Sequence, residues 1–110
     1  MRARTDFTAA VRGGVRAASP AVVVHLGHAA PGRSVPQVGF IVTRSVGGAV
    51  VRNTVRRRLR HLIHDRLDRL PAGARVVVRV NPAAAGRTSA SLAADLDQAL
   101  GRALRQAITP

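Results

Sequence analysis

The sequence predicts a single α+β domain, residues 1–110, built as an α/β sandwich. We expect a central, mostly antiparallel sheet of about four strands packed with three helices, in the order α-β-β-(β)-α-β-α. Two observations lead to this expectation. Short β-branched runs alternate with segments of helical period, and the 110 residues, 46% of them hydrophobic, suffice for one modest core.

The first part of the chain is predicted to contain one short helix and two strands. Thr5, followed by an aspartate, favours a helix start, and two glycines ending at Gly14 close the helix after about two turns. Residues 20–26 and 38–43 are β-branched runs separated by a loop that contains proline and glycine. An antiparallel hairpin is the simplest arrangement for two strands joined in this way.

The second part of the chain alternates helix, strand and helix. The hydrophobic period becomes that of a helix from about Gly48 to Leu70, after which a proline and a glycine end it. Residues 75–80 form a strand-like run that is buried on at least one face. A last helix should begin near residue 88 or 89. Its predicted buried stripe consists of Leu92, Leu96, Ala99, Leu100, Ala103, Leu104 and Ile108.

The charge of the chain indicates a polyanionic partner. There are 18 basic residues against 5 acidic ones, for a net charge of +13, and every basic residue is arginine. Guanidinium groups match phosphate oxygens two at a time and stack on bases, which favours RNA. A GC-rich coding bias explains the choice of arginine over lysine equally well. The inference therefore rests on the excess of charge.

Other totals exclude several classes of protein. The 2 aromatic residues, both Phe, are too few for a platform of stacked bases of the RRM kind. The absence of cysteine excludes disulfides, a thiol nucleophile and cysteine metal ligands. No apolar run has the length of a signal peptide or a membrane span. We therefore expect a cytoplasmic protein that does not contact a membrane.

The segment from Arg52 to Arg60 is the most informative part of the chain, because five of its nine residues are arginine. At about 100° per residue, one fan of about 140° contains Arg52, Asn53, Arg56, Arg57 and Arg60. A separate apolar arc beside it contains Val51, Val55, Leu59 and Leu62. Arginines three and four apart are separated by roughly 6 Å along the axis, similar to successive phosphates on a strand. We expect one face for the core and one for phosphates.

A solvated basic face is the alternative interpretation of such a charge run. A solvated face normally mixes charges of both signs, because pairs one turn apart stabilise a helix. No acidic residue lies between Asp6 and Asp65, so these arginines lack local partners. Repulsion retained at a cost in stability indicates a binding role.

The run from Val38 to Arg60, VGFIVTRSVGGAVVRNTVRRRLR, resembles the signature of the ribonuclease P protein family, V-G-F-x-V-S-K-K-x-G-x-A-V-x-R-N-x-x-K-R-x-x-R. The resemblance extends more loosely over nearly the whole chain, including Asp6 and Phe7. It implies the protein subunit of an endonuclease that removes the 5′ leader of precursor tRNA in a magnesium-dependent reaction. It also implies a left-handed βαβ crossover, against the usual right-handed preference.

In that family the protein has no catalytic residue, and the RNA subunit performs the phosphodiester chemistry with bound Mg²⁺. The resemblance thus implies two partners, a catalytic RNA and precursor tRNA, for a monomer in a 1:1 ribonucleoprotein. It places Phe7 and His25 in a cleft for the leader. Ser45 departs from the family's second lysine, and relatives often carry an aromatic residue where His25 stands. The residues implied to contact the catalytic RNA are Arg44, Arg52, Asn53, Arg56, Arg57 and Arg60.

Three smaller features have less specific interpretations. His61 and His64 stand one helical turn apart and could bind a metal together, but a position facing solvent or RNA is the more common role. Asp65 is expected to pair with Arg69 one turn on. The glycines before the arginine helix are interpreted as freeing the backbone to turn, since the nucleotide-binding loop ending is absent.

Two other functions are compatible with a small basic domain. A ribosomal or other structural RNA-binding protein would share the size and charge, and would sediment with ribosomal subunits. A DNA-binding module would place the arginine helix in a major groove, usually as a dimer. The sequence shows no dimerisation seam.

Overall fold

The computed structural model describes residues 14–27 and 35–108. The predicted first helix and Phe7 lie outside the described residues. The strands are β1 (Val15–Ala18), β2 (Val22–Gly27), β3 (Gln37–Ile41) and β4 (Arg75–Val80), and the α-helices are α1 (Ala49–His64) and α2 (Ser89–Ile108). Short 3₁₀ turns lie at Arg44–Val46, Leu67–Arg69 and Pro82–Ala84. None of the described helices is long and apolar enough to cross a membrane.

The four strands form one mixed sheet in the order β1-β2-β4-β3. β2 pairs antiparallel with both β1 and β4, whereas β3 pairs parallel with β4. The α+β class and the mostly antiparallel sheet are therefore confirmed. β1 has no separate signal in the sequence because it is only 4 residues long and contains one valine, one arginine and two alanines.

The predicted hairpin between the second and third strands is wrong, because β4 lies between them. The reason is burial. Val76, Val77 and Val78 of β4 are all 0% exposed, so both faces of this strand are covered and it occupies a central position. β3 pairs with β4 from the outer side in parallel, and a parallel pair requires a crossover, which α1 supplies.

The arginine helix is also shorter than predicted, since α1 ends at His64 and not at Leu70. The backbone amide of Arg66 donates to the Ile63 carbonyl at 2.9 Å, a 3₁₀-type bond that tightens the last turn. The Leu62 carbonyl, which a continuing helix would use for that amide, instead accepts a hydrogen bond from the Arg66 guanidinium at 2.8 Å. The Arg66 side chain thus uses the carbonyl that the next helical turn would need, and α1 ends here.

Both described helices pack on one face of the sheet. α2 begins at Ser89 as predicted, and Thr88 caps it by accepting a hydrogen bond from the Ser91 amide at 3.1 Å. Most of the stripe predicted for α2 lies in the middle of the core, with Leu104 only partly buried, while the side chain of Ile108 lies outside the description. The predicted arc of α1 is confirmed only in part, because Val51 is 37% exposed and Leu62 is partly buried. The members that are almost fully buried are Leu92, Leu96, Ala99, Leu100, Ala103, Val55 and Leu59, and Ile63, which the predicted arc did not include, is buried beside them.

Candidate nucleic-acid interface

The arginine face of α1 lies beside the residues that hold this helix on the core. Val55 and Leu59 are 2% and 0% exposed, and they fix the rotation of the helix about its axis. The five predicted site residues of α1 consequently share one side of it, where they are exposed or half-buried; they are Arg52, Asn53, Arg56, Arg57 and Arg60. We call this surface the arginine face.

The carboxylates of the described residues neutralise other parts of the molecule. Asp97, on α2, accepts hydrogen bonds from Arg66 and Arg69. The predicted pair between Asp65 and Arg69 is therefore wrong, because α1 ends at His64 and Arg69 turns to Asp97. The bond to Arg66 lowers the pKa of Asp97. Asp95 accepts from the Ala21 amide at 2.8 Å. Within residues 14–27 and 35–108, no salt bridge joins a carboxylate to the arginine face.

Arg58 is the arginine of this run that points away from the face. Its guanidinium donates to the Arg87 carbonyl at 2.5 Å and so ties α1 to the segment before α2. Arg87 in turn lies 3.3 Å from Asp95. Helical period alone separates Arg58 from the fan predicted for phosphate contact, and the structure gives it this different task.

Arg52 carries an unsatisfied polar group. Its Nε is buried and has no hydrogen-bond partner among the described residues. Leaving such a donor without a partner costs about 1 to 3 kcal/mol. A small outward shift of the Arg52 side chain would expose this N–H to an external acceptor, and pairing there would recover part of that cost.

Arg44 lies in the connection between β3 and α1, on the turn Arg44–Val46, where its side chain is exposed and Val46 is buried in the core. The turn is completed by Gly47, whose φ of 153° is unfavourable for other residues. A Cβ at Gly47 would also meet the Val51 side chain at 2.9 Å. The glycine therefore lets the chain turn sharply into α1, which keeps Arg44 just before the helix.

His25 lies on the opposite face of the sheet, away from α1 and α2. It is 7% exposed, its Nδ1 has no hydrogen-bond partner among the described residues, and its cross-strand neighbours are Arg16 and Val77. Arg79 lies diagonally across on the same face. Sequence reasoning did not single out Arg16 or Arg79, although the two-residue period of a strand would have placed Arg79 on the same face as Val77.

The protonation of His25 should make folding sensitive to mildly acidic pH. Burial lowers its pKa, and the charges of Arg16 and Arg79 lower it further. As pH falls through the usual value of 6.5, the unfolded chain binds a proton that the folded chain does not. The free energy of unfolding is therefore expected to decline below pH 6.5 and to level off once the folded pKa is passed.

Urea unfolding at a series of pH values measures this decline. A His25→Gln variant should show a flatter profile in the same window, and identical profiles for the two proteins would contradict the assignment. Asp97 also contributes to the pH dependence of stability, because its pKa is lowered in the folded state. The stability that it contributes is lost in a separate window, as the pH falls below 3.8.

Comparison with known proteins agrees with this architecture. The family model described as "Ribonuclease P" matches residues 1–104. The ribonuclease P protein component of Streptomyces bikiniensis is 54% identical over 111 residues, covering 94% of this chain and 90% of the relative. That of Acidothermus cellulolyticus is 51% identical over 102 residues, with 93% and 85% covered.

Solved structures show the same fold. The RNase P protein of Staphylococcus aureus has a TM-score of 0.80 at 20% identity, with 96% of this chain and 93% of that chain covered. The RNase P protein of Thermotoga maritima has a TM-score of 0.77 at 22% identity, with 96% and 94% covered. Taken with the sequence matches, these findings show that the chain belongs to the ribonuclease P protein component family.

Proposed function

We propose that this chain binds the catalytic RNA of ribonuclease P through the arginine face and assists magnesium-dependent removal of the 5′ leader from precursor tRNA. The observation that carries the proposal is the arginine face itself, which none of the described carboxylates neutralises, in a chain of this family. Phosphates of a folded RNA supply the missing negative charge.

The RNA-contacting residues in this proposal are Arg44, Arg52, Asn53, Arg56, Arg57 and Arg60. Guanidinium groups three and four residues apart on α1 are spaced to engage several phosphates of one strand. The buried Nε of Arg52 has no partner among the described residues, and a small outward shift of the side chain would let a phosphate or ribose oxygen accept from it. Asn53 adds an amide that can donate and accept.

The phosphodiester chemistry is assigned to the RNA, together with the Mg²⁺ that it requires. Arginine side chains stabilise and position phosphates, but they remain protonated and do not act as a general base at neutral pH. The protein then contributes affinity and orientation. We assign it to a 1:1 ribonucleoprotein in the cytoplasm, with the protein as a monomer.

The leader of precursor tRNA is assigned to the other face of the sheet, at Phe7 and His25. Support comes from the basic residues around His25, where Arg16 and Arg79 are both exposed. A single strand crossing this face would meet positive charge on either side of a buried imidazole. The two RNA partners would thus occupy opposite sides of one small domain.

Reconstitution tests the proposed function. The protein is mixed with the catalytic RNA of its own cell and a precursor tRNA at low magnesium concentration, and cleavage at the 5′ end is measured. We expect cleavage to need the RNA, to be stimulated by the protein, and to be absent with protein alone. An unchanged cleavage rate on adding protein, or co-sedimentation of the protein with ribosomal subunits, would favour the structural RNA-binding alternative.

Leader recognition gives a separate prediction. Arg79→Gln or Phe7→Ala should weaken binding of precursor tRNA to the holoenzyme while sparing assembly with the catalytic RNA, because only the leader meets this face. The measurement is the ratio of affinities for substrates with long and short leaders. A ratio that neither substitution changes would remove the leader assignment.

A further inference from the structure

A cleft lies between α1 and the edge strand β3, next to the arginine face. Its volume is about 480 Å³. The strand side and the end of the cleft are apolar, and their side chains are only partly buried against the core. The helix side is basic. The residues that matter here are Val38, Phe40 and Leu67 on the apolar side, and Arg56, Arg60 and His64 on the basic side.

A second depression, of about 320 Å³, adjoins the cleft and is lined by Arg57, Arg60, His61 and His64. Arg60 and His64 line both depressions, so the two lie next to each other. Among the described residues, Asp65 places a carboxylate near these depressions. Its Oδ1 lies 3.9 Å from Nδ1 of His64, and the side chains of Asp65 and His64 are 70% and 80% exposed. An apolar site and a basic site therefore lie side by side.

An unstacked nucleotide has the chemistry that fits this pair of sites. A base offers an apolar face that stacks on aromatic rings and guanidinium planes, while its flanking phosphates accept paired hydrogen bonds from arginine. The volume of the cleft is within the range of about 300 to 1,000 Å³ typical of small-ligand sites. A purely apolar ligand would desolvate Arg56 and Arg60 without pairing them, which is unfavourable.

We propose that the cleft receives one unstacked base of an RNA strand against Phe40, and that the phosphates flanking this base bind in the basic depression through Arg57 and Arg60. Arg56, on the helix side of the cleft, stacks on or donates to the base. The proposal deepens the proposed function and rests on it only in assigning the strand to the catalytic RNA.

Fluorine NMR tests the proposal on the isolated full chain, because the sequence contains only 2 phenylalanines. Protein made with 4-fluorophenylalanine gives one signal each for Phe7 and Phe40, and a Phe7→Leu variant assigns them. The chain is titrated at low salt with adenosine 5′-monophosphate and, separately, with ribose 5-phosphate. The two compounds carry the same phosphate group and differ by the base.

We expect adenosine 5′-monophosphate to shift the Phe40 signal and to bind at least about fivefold more tightly than ribose 5-phosphate, because base–aromatic contact adds to phosphate binding. Equal affinities would show an anion site without a base pocket and would overturn the proposal. A Phe40 signal that stays in place at saturation, with or without a shift of Phe7, would overturn it as well.

A charge variant provides the second arm. His64→Glu places a negative charge where the two depressions meet, on a side chain that is 80% exposed and so does not affect the core. It should weaken nucleotide binding several-fold. Gln98→Glu makes the same charge change on the exposed side of α2 and should have little effect. Equal affinities of the two variants would contradict the assignment of the phosphates to the basic depression.

These measurements use no catalytic RNA, so their outcome is independent of the reconstitution. A protein that stimulates cleavage but gives no Phe40 response would keep the proposed function and lose the base pocket. A Phe40 response in a protein that does not stimulate cleavage would keep the base pocket and remove the proposed function.

Discussion

Replacing Arg52, Arg56 and Arg57 together by glutamine is expected to flatten the salt dependence of binding to the catalytic RNA. Each phosphate contact releases counterions and contributes roughly 0.7 to 0.9 to the slope of log affinity against log salt, so three lost contacts lower the slope by roughly 2 to 3. At about 0.1 M salt this corresponds to an affinity loss on the order of 100-fold. Filter binding at five or more salt concentrations measures both quantities.

Two double variants provide a comparison at equal charge. Arg56→Gln with Arg57→Gln removes two charges from the arginine face, and Arg102→Gln with Arg105→Gln removes two from the exposed side of α2. The first pair should lower the slope by roughly 1.5, and the second should leave it nearly unchanged. Equal losses would mean that total charge, and not the arginine face, determines the affinity.

Leu59→Ala is expected to produce the largest loss of stability among substitutions on α1. Leu59 is 0% exposed and anchors α1 in the core, and truncating such a leucine costs about 2 to 5 kcal/mol through lost burial and a residual cavity. The melting temperature should fall by at least about 8 °C for a domain of this size. Thermal and urea unfolding measure the change.

The control for this substitution is on the same helix. Val50 is 80% exposed, so Val50→Ala should change the free energy of unfolding by no more than about 0.5 kcal/mol. Below its melting temperature, the Leu59→Ala protein should keep the normal salt slope for RNA binding, because its arginines are intact. A stable Leu59→Ala protein, or a folded one with a flattened slope, would contradict the separation of α1 into two faces.

The two faces of α1 could be predicted because they follow from local geometry. Period and charge alone separate Val55 and Leu59 from Arg56 and Arg60, and neither depends on where the rest of the chain lies. The same holds for α2, where the leucine stripe and the threonine before it set both the buried face and the start of the helix.

The partner of each strand could not be predicted in the same way. The pattern of residues 20–26 and 38–43 fits a hairpin, and only the burial of β4 on both faces shows why it lies between β2 and β3. The end of α1 depends on a long-range contact as well. Arg66 reaches Asp97, 31 residues away, while its guanidinium occupies the Leu62 carbonyl.

The sheet face that carries His25 could be predicted only in part. His25 was implied by family resemblance, whereas its neighbours Arg16 and Arg79 come from the register of β1, β2 and β4. Strand period predicts that alternate residues share a face, but register decides which residues of different strands are adjacent. The cleft beside β3 also could not be predicted from the sequence, because its walls are Phe40 on β3 and the later helix α1, and their contact is set by the tertiary fold.

The position of the RNA relative to α1 can be measured directly, because the chain has no cysteine. Single-cysteine variants His61→Cys, beside the arginine face, and Gln98→Cys, on the exposed side of α2, are each coupled to iron–EDTA and bound to the catalytic RNA. Hydroxyl radicals from the first position are predicted to cut the RNA strongly at a few adjacent sites, and those from the second only at background level. Equal cutting from both positions, or stronger cutting from α2, would contradict the claim that the unneutralised arginines of α1 bind the phosphates of the RNA.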